Sequence, residues 1–181
     1  MFRGKYILTY LTVDGTYTER FIQEASNVDI EERIQKAHEQ LINQTGPGSD
    51  FLGWHDYPVT FNKAEIQRIQ LVAEEIKEHS DVFIVIGVGG SYLGARAAIE
   101  LLSHTFQNEL PQTKRRVPQI IYAGHHFSGA YMNDLFDFLE GRDFSINVIS
   151  KSGSTLETAI AFRLIKQEME KRYDKDELQK R

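Results

Sequence analysis

The chain has 181 residues, 41% of them hydrophobic and 26% charged, with a formal net charge of −5. That is room for one domain with a real core, or one domain plus an appendage, and the acidic balance gives a nucleic-acid partner no support. Cysteine is absent, which excludes disulfides and thiolate metal sites and fits a reducing compartment.

At the start, "MFRGKYILTYLTVDGTYTERF", Thr, Asp and Glu interrupt the apolar patch before a signal-peptide core forms. No run approaches transmembrane length. "KDEL" at 175–178 is internal, and "NQT" at Asn43 is idle without a secretory route. The expectation is a soluble cytoplasmic protein with no membrane partner.

Residues 1–28 read as a mixed strand or irregular segment. Asp29, with Glu32 three residues on, predicts a capped helix start, and Ile30, Ile34, Ala37 and Leu41 follow at helical spacing. "TGPGSDFLGWHDYP" (45–58) reads as a turn-rich connector whose Phe51 and Trp54 pack within it. It divides an N-terminal arm, 1–60, from a main domain, 61–181.

From Asn62 the pattern is regular. Asn62 and Glu65 suggest a second cap, before a helix whose inner face is Ile66, Ile69, Ala73 and Ile76. "VFIVIG" (82–87) is a continuous apolar run, hence a strand buried on both faces. A helix from Ser91 to about Leu102 and a strand "QIIYAG" (119–124) come next. Ser128 caps a further helix with Met132, Leu135, Phe136 and Leu139 inward, closed by Gly141. A third strand, "SINVIS" (145–150), precedes a helix capped by Ser154 with Glu157, and the chain ends in a charged helix.

Alternating strands and helices imply an α/β fold, a parallel sheet flanked by helices. Three strands make a small sheet with an exposed edge, so the domain is expected to be cut short at its C-terminal end.

Ligands in such folds sit beyond the carboxyl ends of the strands, where two loops are unusual. In "GVGGSYLGAR" (87–96), glycines let backbone N–H groups approach a ligand, and the following helix N-terminus adds about half a positive charge. A dinucleotide fingerprint fails because position 92 is Tyr, and the second strand ends in Ala123 and Gly124 without an acidic residue for a ribose. A Walker A loop fails because Ala95 and Arg96 follow Gly94. In "VISKSGSTLET" (148–158), Ser150, Ser152, Ser154 and Thr155 crowd around Lys151 and Gly153. A phosphate monoester offers three acceptor oxygens and nearly two negative charges, which hydroxyls, N–H groups and one ammonium would satisfy. Taken singly, each serine reads as a helix cap or a solvated turn residue; the cluster reads as a phosphate cradle.

"GVGGSYLGARAAIE" and "VISKSGSTLETAIAF" resemble the two signature loops of the bacterial glucose-6-phosphate isomerase family, and "GSDFLGWHDYP" is similar to the connector before its first domain. The resemblance runs from about residue 30 onward. It implies a sugar-isomerase (SIS) fold, a flavodoxin-like three-layer sandwich, of which 61–181 would be most of the first domain. It further implies that Gly90, Ser91, Ser150, Lys151, Ser152 and Thr155 hold the sugar phosphate. Gly153 and Ser154 would contribute backbone, and Glu157 would support the site unless it is only a cap partner.

The reaction implied is the reversible isomerisation of glucose 6-phosphate to fructose 6-phosphate, without cofactor or metal, in a cytoplasmic homodimer. The glutamate base, the ring-opening His and Lys and the oxyanion-stabilising Arg belong to later family sequence, so this chain alone is expected to be inactive. The alternative is a non-catalytic phosphosugar-binding SIS module, and a third reading is a purely structural piece.

Among other candidates, His125 and His126 diverge as neighbours and read as loop residues rather than metal ligands. His38, His79 and His104 read as solvated. "KRR" (114–116) reads as a solvated basic run, and Arg96 as either a phosphate partner or a surface residue.

Overall fold

The computed structural model describes residues 5–8, 11–18, 21 and 27–181. The chain divides into two compact units, 1–62 and 63–181.

In the first unit, β1 (Lys5–Leu8) and β2 (Leu11–Asp14) pair antiparallel, with Leu8 opposite Leu11. The Asp14 carboxylate then accepts from both the N–H and the hydroxyl of Thr16, turning the chain into a short 3-10 segment. Helix α1 (Asn27–Ile42) starts two residues before the expected cap, so Asp29 is its third residue rather than its N-cap. For the rest of 1–28, the expected mixed strand or irregular segment falls outside the described residues.

The connector is more helical than its turn residues suggest. Gly46 and Gly48 take positive φ, and a 3-10 turn (Ser49–Phe51) leads into α2 (Gly53–Thr60) with Pro58 inside it. Phe51 and Trp54 are 72% and 62% exposed rather than buried in it, and Trp54 makes an edge contact with His55 at 5.9 Å between ring centroids.

The second unit is a parallel three-stranded sheet with flanking helices, the α/β arrangement expected. Helix α3 (Lys63–His79) leads to β3 (Val82–Ile86) and, through a 3-10 turn (Gly89–Ser91), to α4 (Leu93–Leu102). A short α5 (Gln112–Arg115) precedes β4 (Gln119–Ala123), and α6 (Gly129–Phe138) precedes β5 (Phe144–Val148). Helices α7 (Leu156–Arg172) and α8 (Lys175–Leu178) complete the unit. The order is β4-β3-β5, so the most apolar strand is central. Val82 is level with Gln119 and Phe144, and Ile86 with Ala123 and Val148, so all three strands end at one height.

Val82, Ile84 and Ile86 are fully buried, together with Leu139, Phe144 and Ile165, and Ala161 and Met169 from α7 close the cluster. Each large apolar side chain taken fully from water contributes about 1.5–3 kcal/mol. The α6 cap forms as expected: Ser128 Oγ accepts from the Tyr131 N–H, and Gly141 takes φ 68° beyond the helix end.

Three local expectations fail for identifiable reasons. The charged C-terminal helix is broken at Tyr173, which is buried; its hydroxyl accepts from the Phe144 N–H at 2.9 Å and donates to Asp143, while Asp174 caps a new helix with Glu177. The basic run is not wholly solvated, because Arg115 is buried and donates to the carbonyls of Leu110 and Val117. The inner face expected of α3 stands open, with Ile69 50% exposed.

Candidate functional site

The equal strand ends put residues 87, 124 and 149 on one level. Beyond β3 the ladder continues in both directions: the Gly87 N–H donates to the Ala123 carbonyl at 3.0 Å, and the Ile149 N–H to the Ile86 carbonyl at 2.9 Å. The 87–96 and 148–158 loops therefore leave adjacent parallel strands side by side. Their approach is close at Gly87, where a β-carbon would lie 3.3 Å from the Ile149 carbonyl oxygen and 3.5 Å from Ser91 Cβ.

The first loop rises from Val88 in extended conformation, turns at Gly89 (φ 55°) and forms one 3-10 turn, with the Ser91 N–H donating to the Val88 carbonyl. Gly90 is exposed, and Ser91 is half-buried. Tyr92, the position that defeats the dinucleotide fingerprint, is buried against Tyr122 and stacks on His125 with ring centroids 5.7 Å apart. The side chain that a third glycine would have lacked anchors the loop to β4. Arg96 is held by Glu100 at 2.7 Å and lies over the Tyr122 ring, so its charge is engaged along α4.

In the second loop, Ser150 Oγ accepts from the Gly153 N–H at 3.0 Å, and Gly153 takes φ 71°. Ser152 and Ser154 share a hydroxyl hydrogen bond of 2.8 Å, and Ser152 Oγ also accepts from the Ser154 N–H. Ser154 is therefore a loop residue rather than the expected cap. Helix α7 begins at Leu156, with Thr155 at the N-cap position making no side-chain cap bond. The first-turn N–H groups of α7 have no intrahelical acceptor, as at any helix start, and no capping side chain supplies one. Thr155 and Glu157 are half-buried there, while Lys151, Ser152, Gly153 and Ser154 are exposed.

Two residues passed over in the sequence stand behind the loops. Gly124 takes φ 80° at the end of β4, against both Gly87 and the first turn of α7. Thr158, in that first turn, is 3% exposed and its hydroxyl has no hydrogen-bond partner. The glycine directly after a strand was the available signal for the first; nothing in the sequence marks the second.

Around His125 the surroundings are aromatic. His125, His126 and Tyr131 form edge contacts, and the Tyr131 hydroxyl donates to the Tyr122 carbonyl. Burial, with His126 and Arg96 adding like-charge repulsion, holds the His125 pKa below the usual imidazole value. Among the described residues, no group of three His, Asp or Glu side chains is placed to hold a metal ion. No helix among them is long and apolar enough to cross a membrane.

Against known proteins, the chain is 50% identical over 173 residues to the glucose-6-phosphate isomerase of Bacillus cytotoxicus. It is 48% identical over 173 residues to those of Bacillus thuringiensis and Bacillus cereus. The chain is similar to part of glucose-6-phosphate isomerase. The alignments cover 96% of this chain, which spans only 38% of the length of each relative. No family model matches. At this identity the resemblance carried by the two loops extends over nearly the whole chain, and the folded second unit presents both loops at the end of the sheet where ligands of α/β proteins sit.

Proposed function

We propose that this chain supplies the phosphate-binding part of a glucose-6-phosphate isomerase, with 61–181 as most of its first SIS domain and 1–60 as an arm and connector. The observation that carries the reading is the meeting of the 87–96 and 148–158 loops beyond adjacent strands, in a chain half identical to such isomerases. In this reading Gly90 and Ser91 face the sugar phosphate from one side. Ser150, Lys151, Ser152 and Thr155 face it from the other, with Gly153 and Ser154 offering backbone. The uncapped start of α7 supports the assignment, since its donors and the Thr155 hydroxyl are not spent on a cap.

The cradle's part is binding energy remote from the reacting carbons. It orients the sugar and does no proton transfer itself. Isomerisation between glucose 6-phosphate and fructose 6-phosphate moves a proton between C2 and C1 through an enediol. That requires a carboxylate base, a ring-opening acid and a cation for the oxyanion. Glu157 is the acidic side chain beside the cradle, and its role is supporting. The remaining groups would come from the part of the relatives' length that these 181 residues do not span. The isomerase acts in glycolysis, in the cytoplasm, as a homodimer. The open apolar surface on α3 and α4, including Ile69, Leu101 and Leu102 at 50%, 82% and 83% exposure, is what further isomerase polypeptide would cover.

An amide-shift titration with fructose 6-phosphate, with unphosphorylated fructose as control, tests this. Saturable shifts confined to 87–96 and 148–158, absent with fructose, are expected. A dispersed spectrum that does not respond refutes phosphosugar binding by this chain.

A further inference from the structure

We infer that Gly124 is a positioning residue for the cradle: the spacer that fixes the distance between the first loop and the N-terminus of α7. The inference rests on the phosphosugar reading and concerns a residue outside both loops.

Gly124 follows directly on β4, at φ 80°. An added β-carbon would lie 2.9 Å from Ile86 Cγ2, 3.3 Å from Thr158 Cα and 3.4 Å from the Gly87 nitrogen. Those three atoms belong to the last residue of β3, the first turn of α7 and the first residue of the glycine-rich loop. The contact with Ile86 is closer than real β-carbons make, so something must shift. Ile86 is fully buried, and Thr158 is reached at its backbone rather than at the end of a flexible side chain. The displacement therefore passes to the two segments that carry the donors. Gly87 is tied to Ala123, the residue before Gly124, by its own N–H, so the first loop cannot move without straining the end of the sheet. Thr155, the α7 N-cap, is bonded through its carbonyl to the Ala159 N–H, so a push on Thr158 moves the helix start as a body. A phosphate held from both sides needs both sets of donors within hydrogen-bonding distance at once, and widening their separation weakens one set or the other.

Gly141 provides a matched comparison. It also has positive φ, 68°, but a β-carbon there meets nothing within 4 Å. Gly141→Ala introduces the same kind of backbone strain without the wedge. The experiment compares wild type, Gly124→Ala and Gly141→Ala by urea unfolding and by fructose 6-phosphate titration. A fourth variant, Gly124→Ala with Ile86→Leu, removes the Cγ2 branch responsible for the closest contact and is read against Ile86→Leu alone if Gly124→Ala does not fold.

Gly124→Ala is expected to bind about tenfold or more weakly while folded, with Gly141→Ala at wild-type affinity, and Ile86→Leu is expected to restore part of the loss. Wild-type affinity in folded Gly124→Ala overturns the inference and leaves the phosphosugar reading standing. Where only the double variant folds, the retained approaches to Thr158 Cα at 3.3 Å and the Gly87 nitrogen at 3.4 Å still make it bind more weakly than Ile86→Leu alone, and equal affinity of those two overturns the inference. No saturable binding by wild type overturns the reading and the inference with it. An equal loss in Gly141→Ala also overturns the inference, because strain without contact would then suffice.

Discussion

The double substitution Ser152→Ala with Thr155→Ala separates the cradle's function from its stability. In the folded chain the Ser152 hydroxyl makes two bonds, both within the exposed loop, to Ser154 Oγ and from the Ser154 N–H. Exposed bonds of this kind exchange for water at a net cost of about 0.5–1.5 kcal/mol at most. Thr155 occupies an N-cap position, where Thr→Ala ordinarily costs about 1 kcal/mol, but its side chain makes no cap bond, so that penalty is absent. With two such bonds lost, the double variant should therefore lose no more than about 3 kcal/mol of stability. Against a bound phosphate the ledger is different. Each hydroxyl donates to a charged oxygen, and such bonds contribute about 1.5–3 kcal/mol apiece. Losing two removes at least about 3 kcal/mol, roughly a hundredfold in Kd. Urea unfolding measures the first quantity and titration with fructose 6-phosphate the second. Unchanged affinity in a folded double variant would refute the cradle assignment. A loss of stability several times larger than stated would refute the view that these hydroxyls serve a ligand rather than the fold.

Three further outcomes follow from the core and its edges. Tyr173→Phe removes the acceptor of the buried Phe144 N–H and should cost about 1–3 kcal/mol, read as a lower urea midpoint at constant slope; an unchanged midpoint would show that water replaces the hydroxyl. Ile165→Ala, at a fully buried position of α7, should cost about 2–5 kcal/mol in the same assay, and a value near zero would mean that α7 does not close the core. His125 has a folded-state pKa below its unfolded value, so it favours folding where both states are neutral, and that contribution declines as pH falls below the ordinary imidazole pKa until the folded pKa is passed. Urea midpoints should drop between neutral and mildly acidic pH, and His125→Gln should flatten that drop; an equal drop in the variant assigns it elsewhere.

What was legible in the sequence was whatever depended on local pattern. The run at 82–86 could only be a doubly buried strand, and Ser128 followed by an apolar periodicity could only open a helix; both stand where expected. The two loops were readable because their chemistry is concentrated in a few consecutive residues. What failed depended on partners distant in sequence. Arg115 looks solvated until the carbonyls of Leu110 and Val117 enclose it, and Tyr173 looks like one more residue of a charged helix until β5 arrives to use its hydroxyl. Ser154 against Thr155 as the cap was a contest between two neighbouring hydroxyl residues, decided when Ser154 bonded to Ser152. Gly124 was visible as a glycine directly after a strand, but what it spaces was not, because its neighbours Ile86 and Thr158 lie on other elements.

The central place of β3 has a consequence for how the protein is made. Both of its neighbours come later in the chain, so "VFIVI" leaves the ribosome before either strand that will cover its edges exists. At ordinary elongation rates the wait for β5 is on the order of seconds, far longer than hydrophobic collapse takes. During that interval the segment is an uncharged, β-prone stretch with two open edges, the kind of sequence that recruits copies of itself. Synthesis of this unit is thus a race between translation and self-association, which rapid completion of β4 and α6 or a chaperone holding 82–86 would decide.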